Sequence, residues 1–276
     1  MRLIRIIGLC LVAVFALGTI GASSASALPE FGKCVAKAGG KYTDSNCTAK
    51  TTTGGTFDRV KASAITHTKF TSKSGTTYLE GESGLKIVCE ESSTTGELNK
   101  TGTNVAAKGV KNVVLKWTGC EGCACFMSCQ NKGAARGEIV SNTLQGNLVY
   151  ANKAKKEVLQ ELHPKVNGGA FASFECGSGA VIVIVKEEPV SEGGKEGHNC
   201  IFGSIPVADV NVMSPTGHTN FVGSGTDEGR QIPQTDEKLK PAKCNLEEEV
   251  SGGKHEFVSL NQELTTTFEE PIELFA

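Results

Sequence analysis

The chain has 276 residues with 28 basic and 30 acidic side chains, for a net charge of −2. That balance excludes a general nucleic-acid binder, which needs a strongly basic face, and argues against attraction to anionic membranes. Low aromatic content (6%), 33 Gly and only eight Pro suit a strand-and-turn architecture more than disorder.

Residues 1–27 have the three parts of a cleavable secretory signal. Arg2 and Arg5 give a positive start, Ile6 to Ile20 is apolar, and Ala25-Ser26-Ala27 offers a small-residue site with cleavage before Leu28. The apolar run is shorter than the ~20 residues that span a bilayer. Cys10 lies inside it, too early for lipid attachment, with Leu9 where a lipobox wants a small residue. No later stretch is apolar enough to cross a membrane as a helix. The expected protein is therefore exported, secreted or held at the cell surface, with an extracellular or cell-envelope partner. Cleavage leaves 249 residues with 26 basic and 30 acidic side chains, a net charge of −4.

Cysteine usage points to the same compartment. Beyond Cys10 stand Cys34, Cys47, Cys89, Cys120, Cys123, Cys125, Cys129, Cys176, Cys200 and Cys244, an even set that an oxidising environment converts to disulfides.

The segment up to Phe57 is rich in Gly, Lys and Thr and lacks apolar periodicity, so it reads as an irregular lobe (28–57) held by a Cys34–Cys47 bridge. Closing that short loop removes roughly 3 kcal/mol of unfolded-state entropy. From Thr76 onward strands are expected. Leu85, Ile87 and Cys89 alternate with Lys86, Val88 and Glu90, and Val113, Leu115 and Trp117 with Asn112, Val114 and Lys116, the period of a half-buried strand. Arg136–Ser141, Leu144–Tyr150, Glu157–Leu162 and Gly169–Cys176 follow, with helix competing only over Asn152–Leu162. Val181–Val185 is continuously β-branched and predicts a central strand covered on both faces. The charged, Gly-rich stretch 187–197 reads as a long loop. Beyond it Ile201–Val207, Asp209–Met213, Thr219–Val222, Lys254–Leu260 and Leu264–Leu274 are strand candidates. The expected fold is all-β, an antiparallel sandwich or barrel stapled by disulfides. Residues 58–276 form one domain, with a split near 187–199 as the alternative. Cys89 and Cys176 share phase with core-facing residues, which proposes a Cys89–Cys176 bridge; His198-Asn199-Cys200 is read as marking a Cys200–Cys244 bridge.

Several stretches together resemble a family of exported, Gly/Thr-rich, cysteine-containing proteins expanded in soil actinobacteria. They are FGKCVAKAGGKYTDSNCT at 31–48, TGC at 118–120, GEIVSNTLQGNLVY at 137–150, FASFECG at 171–177, and GGKHEFVSL with TTTFEEPIELFA near the end. The resemblance covers most of the chain after the signal and implies export and a shared fold, without an activity or site residue to carry over. This chain departs from that pattern by extra cysteines between Cys120 and Cys129 and by added length around 187–200.

Four cysteines within ten residues, Cys120, Cys123, Cys125 and Cys129, are the densest metal candidate, since four thiolates can hold Zn²⁺ tetrahedrally; His198 with Cys200 is a weaker metal pair. Oxidation in an exported protein favours disulfides there instead, and no βαβ context supports a redox C-x-x-C. The five histidines form no H-x-x-x-H or H-x-H pair. Gly81-Glu82-Ser83-Gly84 echoes a serine-protease nucleophile turn, yet only His67 precedes it and a hairpin turn explains it with less. Ser251-Gly252-Gly253-Lys254 matches S-x-x-K in letters, but two glycines oppose the helix that motif needs. Glu187/Glu188 and Glu247–Glu249 lie in charged runs that read as loops. One Trp and three Tyr leave little to stack sugars in a glycosidase cleft. The sequence assigns no catalytic or cofactor-binding residue and implies no cofactor. The leading expectation is a non-catalytic exported surface or binding protein. The alternatives are a secreted hydrolase without a recognisable motif and a metal-binding protein using 120–129.

Overall fold

The computed structural model describes residues 29–81, 84, 86–100, 107–122, 127–166, 168–177, 179, 181–186, 198–199, 201–205, 214–221, 244–245, 247–250 and 254–275. The signal segment, Cys123, Cys125, Cys200, Ser83, Ser251 and the 187–197 stretch lie outside them. The chain begins with β1 (Glu30–Tyr42) and β2 (Lys50–Lys61), followed by a three-residue 3-10 turn at Ala62–Ala64. Then come β3 (Lys69–Ser74), β4 (Thr77–Gly81), β5 (Lys86–Cys89), β6 (Glu91–Leu98) and β7 (Gly109–Thr118). Next are β8 (Glu121–Gly122), β9 (Met127–Gln130), β10 (Ile139–Val140), β11 (Leu144–Asn152) and β12 (Glu157–Pro164). The rest supplies β13 (Ala172–Cys176), β14 (Val181–Lys186), β15 (His198–Asn199), β16 (Ile201–Ile205) and β17 (Ser214–Phe221). The last strands are β18 (Cys244–Asn245), β19 (Glu247–Val250) and the long β20 (Lys254–Phe275).

The protein is all-β and antiparallel apart from the short parallel pair β15–β18. Among the described residues no helix is long and apolar enough to cross a membrane. The ladders close on themselves twice. From β20 they run through β3, β6, β7, β11, β12, β16 and β17 and return to β20. A second circuit runs from β20 through β4, β5, β8, β9, β13, β14 and β19 back to β20. Closure leaves neither ring with an edge strand, which is how antiparallel sheets avoid open pairing. Ring one uses β20 beyond Gln262 and ring two uses it up to Asn261.

The chain steps between the rings at a waist: between β3 and β4, at Glu90 between β5 and β6, and at Gly119-Cys120 between β7 and β8. Gly119 has φ +64°, and a Cβ there would stand 2.7 Å from the Glu90 side chain, so only glycine makes this crossing without strain. One contiguous core runs through both rings, from Leu98, Leu144 and Leu148 to Val183, Val258 and Leu260. A cavity of about 30 Å³ remains in ring two, lined by Ile87, Trp117, Phe174, Val185 and Leu260 among others. It has the volume of a water or two, but its apolar walls offer no bonds to hold them.

Among the described residues three disulfides staple this frame: Cys34–Cys47, Cys89–Cys120 and Cys129–Cys176. The first is the bridge expected from the sequence. The proposed Cys89–Cys176 bridge is not formed. Both cysteines do face the core, at 5% and 4% exposure, but each has a nearer partner. Cys176 stands directly opposite Cys129 in the β13–β9 ladder, and Cys89 meets Cys120 at the waist. Phase gave the face of each cysteine, while strand adjacency chose the partner. The Cys200–Cys244 pairing lies outside the described residues on the Cys200 side.

Other expectations are met or refined. Val113, Leu115 and Trp117 point inward on β7, as do Ile87 and Cys89 on β5. Asn152–Leu162 is the end of β11, a turn and β12, with no helix. Val181–Val185 is strand β14, flanked by β13 and β19, but only one face is covered: Val183 and Val185 are buried while Ile182 is 48% exposed. Lys254–Leu260 and Leu264–Leu274 belong to one strand, β20. Glu247–Glu249, read as a loop, is part of β19. The N-terminal lobe consists of two long strands whose irregularity lies in register shifts at Ala36/Gly40 and Gly40/Tyr42.

Candidate functional site

Of the sequence candidates, the cysteine cluster is split by disulfides. Cys120 and Cys129 bond Cys89 and Cys176, so neither is a thiolate, and Cys123 and Cys125 lie outside the described residues. Among the described residues no three His, Cys, Asp or Glu side chains gather to hold a metal ion. Gly81 ends β4 and Gly84 N–H donates to its carbonyl at 3.0 Å, while Glu82 and Ser83 of the protease echo lie outside the described residues. His67 is exposed beside Thr66, with Nδ1 3.1 Å from the Thr66 hydroxyl, and His163 Nδ1 lies 3.1 Å from Pro164 O. His198, His218 and His255 sit on three different strands, β15, β17 and β20.

What the structure does assemble is an arm. β2 pairs with β1 alone, so its outer edge meets no other strand among the described residues. The hairpin has its own small core of Cys34, Tyr42 and Cys47 with Phe57 against it, separate from the main one. Gly40 and Gly55 let its two backbones touch, since a Cβ on either would lie 2.1 or 2.2 Å from the opposite chain. At the tip the Asp44 carboxylate accepts from Ala49 N at 2.7 Å, Thr48 N at 3.1 Å and Thr48 Oγ1 at 2.8 Å. The Ala49 N–H contributes most, and together these donors bring the Asp44 carboxyl down to about 2. A carboxyl depressed in the folded state stabilises above its unfolded pKa and loses that contribution as pH falls through the folded one. The tip is therefore intact above about pH 4 and loosens toward pH 2. A carbon NMR titration should place the Asp44 midpoint at about 2, and a midpoint at the ordinary 3.8 would show that these bonds are not formed.

The arm's root is anchored by two carboxylates on β20. Glu270 accepts from Lys33 Nζ at 2.6 Å and from His67 N at 2.9 Å. Burial alone would raise the Glu270 carboxyl, but Lys33 and the N–H groups of His67 and Thr66 outweigh it and hold it below the usual range. Glu273 is fully buried beside Arg59, whose Nη2 lies 3.2 Å from Glu273 Oε1 and donates to Cys47 O at 2.8 Å. The Arg59 guanidinium also packs between the rings of Tyr42, 4.9 Å away, and Phe275, 5.3 Å away.

Charge is segregated between arm and body. Residues 30–61 carry six basic and three acidic side chains, net +3, whereas residues 62–276 carry 20 basic and 27 acidic, net −7. An open groove of about 620 Å³ at the arm is lined by Lys41, Tyr42, Lys50, Thr51 and Thr52, with no acidic residue. Lys41 and Lys50 are exposed. Lys37, by contrast, is tied to Asp58 at 2.9 Å. None of these arm residues was singled out from the sequence as a candidate for binding; the departure of charge sign between residues 30–61 and the remainder is the signal that would have found them.

The second assembled feature is a polar belt inside ring one. Ser72, Ser92, Thr94, Gln262 and Thr266 are all buried on β3, β6 and β20. Trp117 Nε1 donates to Gln262 Oε1 at 3.1 Å, and Ser92 Oγ donates to the same oxygen at 3.3 Å. No family model matches the chain, and no curated protein or solved structure is significantly similar to it.

Proposed function

We propose that this is an exported, non-catalytic binding protein whose N-terminal arm docks on an anionic polymer of the cell envelope. The observation that carries this reading is the segregation of charge, net +3 on residues 30–61 against net −7 on the rest. A cationic arm on an acidic body attracts an anionic partner to one face and repels it from the other. The groove lined by Lys41 and Lys50 gives that attraction a place, and the hydroxyls of Thr51 and Thr52 add hydrogen bonds to oxyanions. Export is supported by the signal-like residues 1–27 and by three disulfides that suit an oxidising compartment.

The test uses the oxidised protein and long-chain polyphosphate as probe. The pair Lys41→Glu and Lys50→Glu should weaken binding at low salt by at least about tenfold, at roughly 1 kcal/mol per lysine near an anionic surface. High salt should abolish the difference. Lys132→Glu, an exposed change on the body, should leave binding unaltered. Affinity indifferent to salt and to the Lys41/Lys50 pair would overturn the reading.

A further inference from the structure

A polar belt interrupts the apolar interior of ring one, where an eight-stranded ring is otherwise filled by apolar side chains or holds one small ligand. Thr266, Ser72, Thr94 and Leu115 follow one another across the ladders β20–β3, β3–β6 and β6–β7. Ser72 Oγ and Thr266 Oγ1 satisfy each other at 2.8 Å. Thr94, next in that row and 5% exposed, has an Oγ1 with no hydrogen-bond partner.

Gln262 repeats the pattern at the waist. β3 separates its strand from β6 in the ring, so its side chain crosses the inside of the molecule to reach Ser92 and Trp117. Because Oε1 accepts from both, Nε2 turns away with its two N–H groups; it is buried and unpartnered. On β12 Gln160 presents the converse. Its Nε2 donates to Asn147 O at 3.1 Å and Glu161 O at 2.7 Å, which leaves Oε1 buried without a donor. Gln160 shares its face with Val158 and Leu162, so this acceptor belongs to the same interior.

Folded proteins pair nearly all such groups. Three neutral orphans on the inner walls of one ring, two able to donate and one to accept, are a set waiting for one complementary molecule. The wall between Thr94 and Gln262 is built from small side chains, Ser72, Ser92 and Thr266, all buried. None of the described inward positions of β3, β6, β7, β11 and β12, or of β20 from Gln262 to Thr266, is charged. An ion buried there would lack a counter-charge.

The geometry points to the interior of ring one as a binding site for a small uncharged molecule of the amide class. Its carbonyl accepts from Gln262 Nε2 and the Thr94 hydroxyl, and its N–H donates to Gln160 Oε1. This site is independent of the arm and of what the arm binds.

The sole tryptophan of the chain makes the test direct, because Trp117 donates to the amide that the ligand would engage. The oxidised protein is titrated with 2-pyrrolidone, and with acetate as the charged counterpart, while the Trp117 indole and Gln262 side-chain amide resonances are followed. Saturable shifts with 2-pyrrolidone and none with acetate are expected. Thr94→Val should weaken the 2-pyrrolidone response at least about tenfold. It should also raise Tm by about 2–4 °C, since an unpaired hydroxyl is replaced by a methyl of the same shape. Thr94→Ser keeps the hydroxyl and should keep binding, which guards against a variant that merely folds badly. Resonances that do not move, or that move equally in Thr94→Val, would overturn the site. A Tm lowered by Thr94→Val would overturn it too, because the hydroxyl would then be serving the fold.

Discussion

Replacing Arg59 with methionine is expected to destabilise the oxidised protein by about 3–5 kcal/mol, the cost of stripping one partner from a buried ion pair. Glu273 has no exposed side-chain surface, while Arg59 keeps 23% exposure, so the carboxylate is the member that cannot turn to water. Arg59 is also the tie between the arm and β20: it touches Cys47 O, Tyr42 and Phe275 besides Glu273. Glu273→Gln alone should cost less, because the neutral amide leaves no buried charge behind and the guanidinium can reach solvent. The double replacement Arg59→Met with Glu273→Gln should recover part of the Arg59→Met loss, which a merely additive effect of lost packing would not do. Urea unfolding at neutral pH measures all three. A loss under 1 kcal/mol for Arg59→Met would show that Glu273 is not held as a buried anion.

The second large effect concerns the strand-to-strand staple. Cys129→Ala with Cys176→Ala should lower stability by about 4 kcal/mol, from the loop-entropy relation applied to a sequence separation of 47. Both sulfurs are buried, so the loss includes packing at the β9–β13 ladder. That ladder matters beyond its size, since ring two closes through only two residue pairs there, Glu175 with Gln130 and Cys176 with Cys129. Peptide mapping of the unreduced protein should return Cys34–Cys47, Cys89–Cys120 and Cys129–Cys176. A Cys89–Cys176 peptide would contradict the architecture, because it would join two strands that already have nearer cysteines.

The strands that could be read from sequence are those whose inward residues are apolar. Ile87 and Cys89, or Val113, Leu115 and Trp117, recur at every second position, and the structure places each of them inward. β6 was invisible for the opposite reason. Its inward positions are Ser92, Thr94, Gly96 and Leu98, so only one of four carries the hydrophobic signal. The same holds for Ser72 on β3 and for Gln262, which falls between the two strand candidates that β20 joins. A polar inner wall hides from any pattern based on burial of apolar groups, which is why the belt had to be seen in three dimensions. The arm escaped for a related reason: Gly55 is the one buried residue of β2, so the strand has no apolar face to announce it. Val181–Val185 erred the other way, because β-branched residues favour strands whether or not both faces are covered. The disulfide partners could not follow from phase, since phase reports the face of a strand and says nothing of which strand lies beside it.

The arrangement of β20 sets the order in which this molecule comes into being. That strand pairs with β19, β4, β17, β3 and β1, and it is the last of the described strands to be synthesised. Until it arrives, both circuits are open sheets with bare edges, and the root of β1 waits for Leu274, 243 positions downstream of Phe31. Contacts so remote make folding slow. They also leave the unfinished chain exposed to pairing with its neighbours. Folding thus waits for β20: a ribosome that still holds residues 254–275 holds back both rings at once.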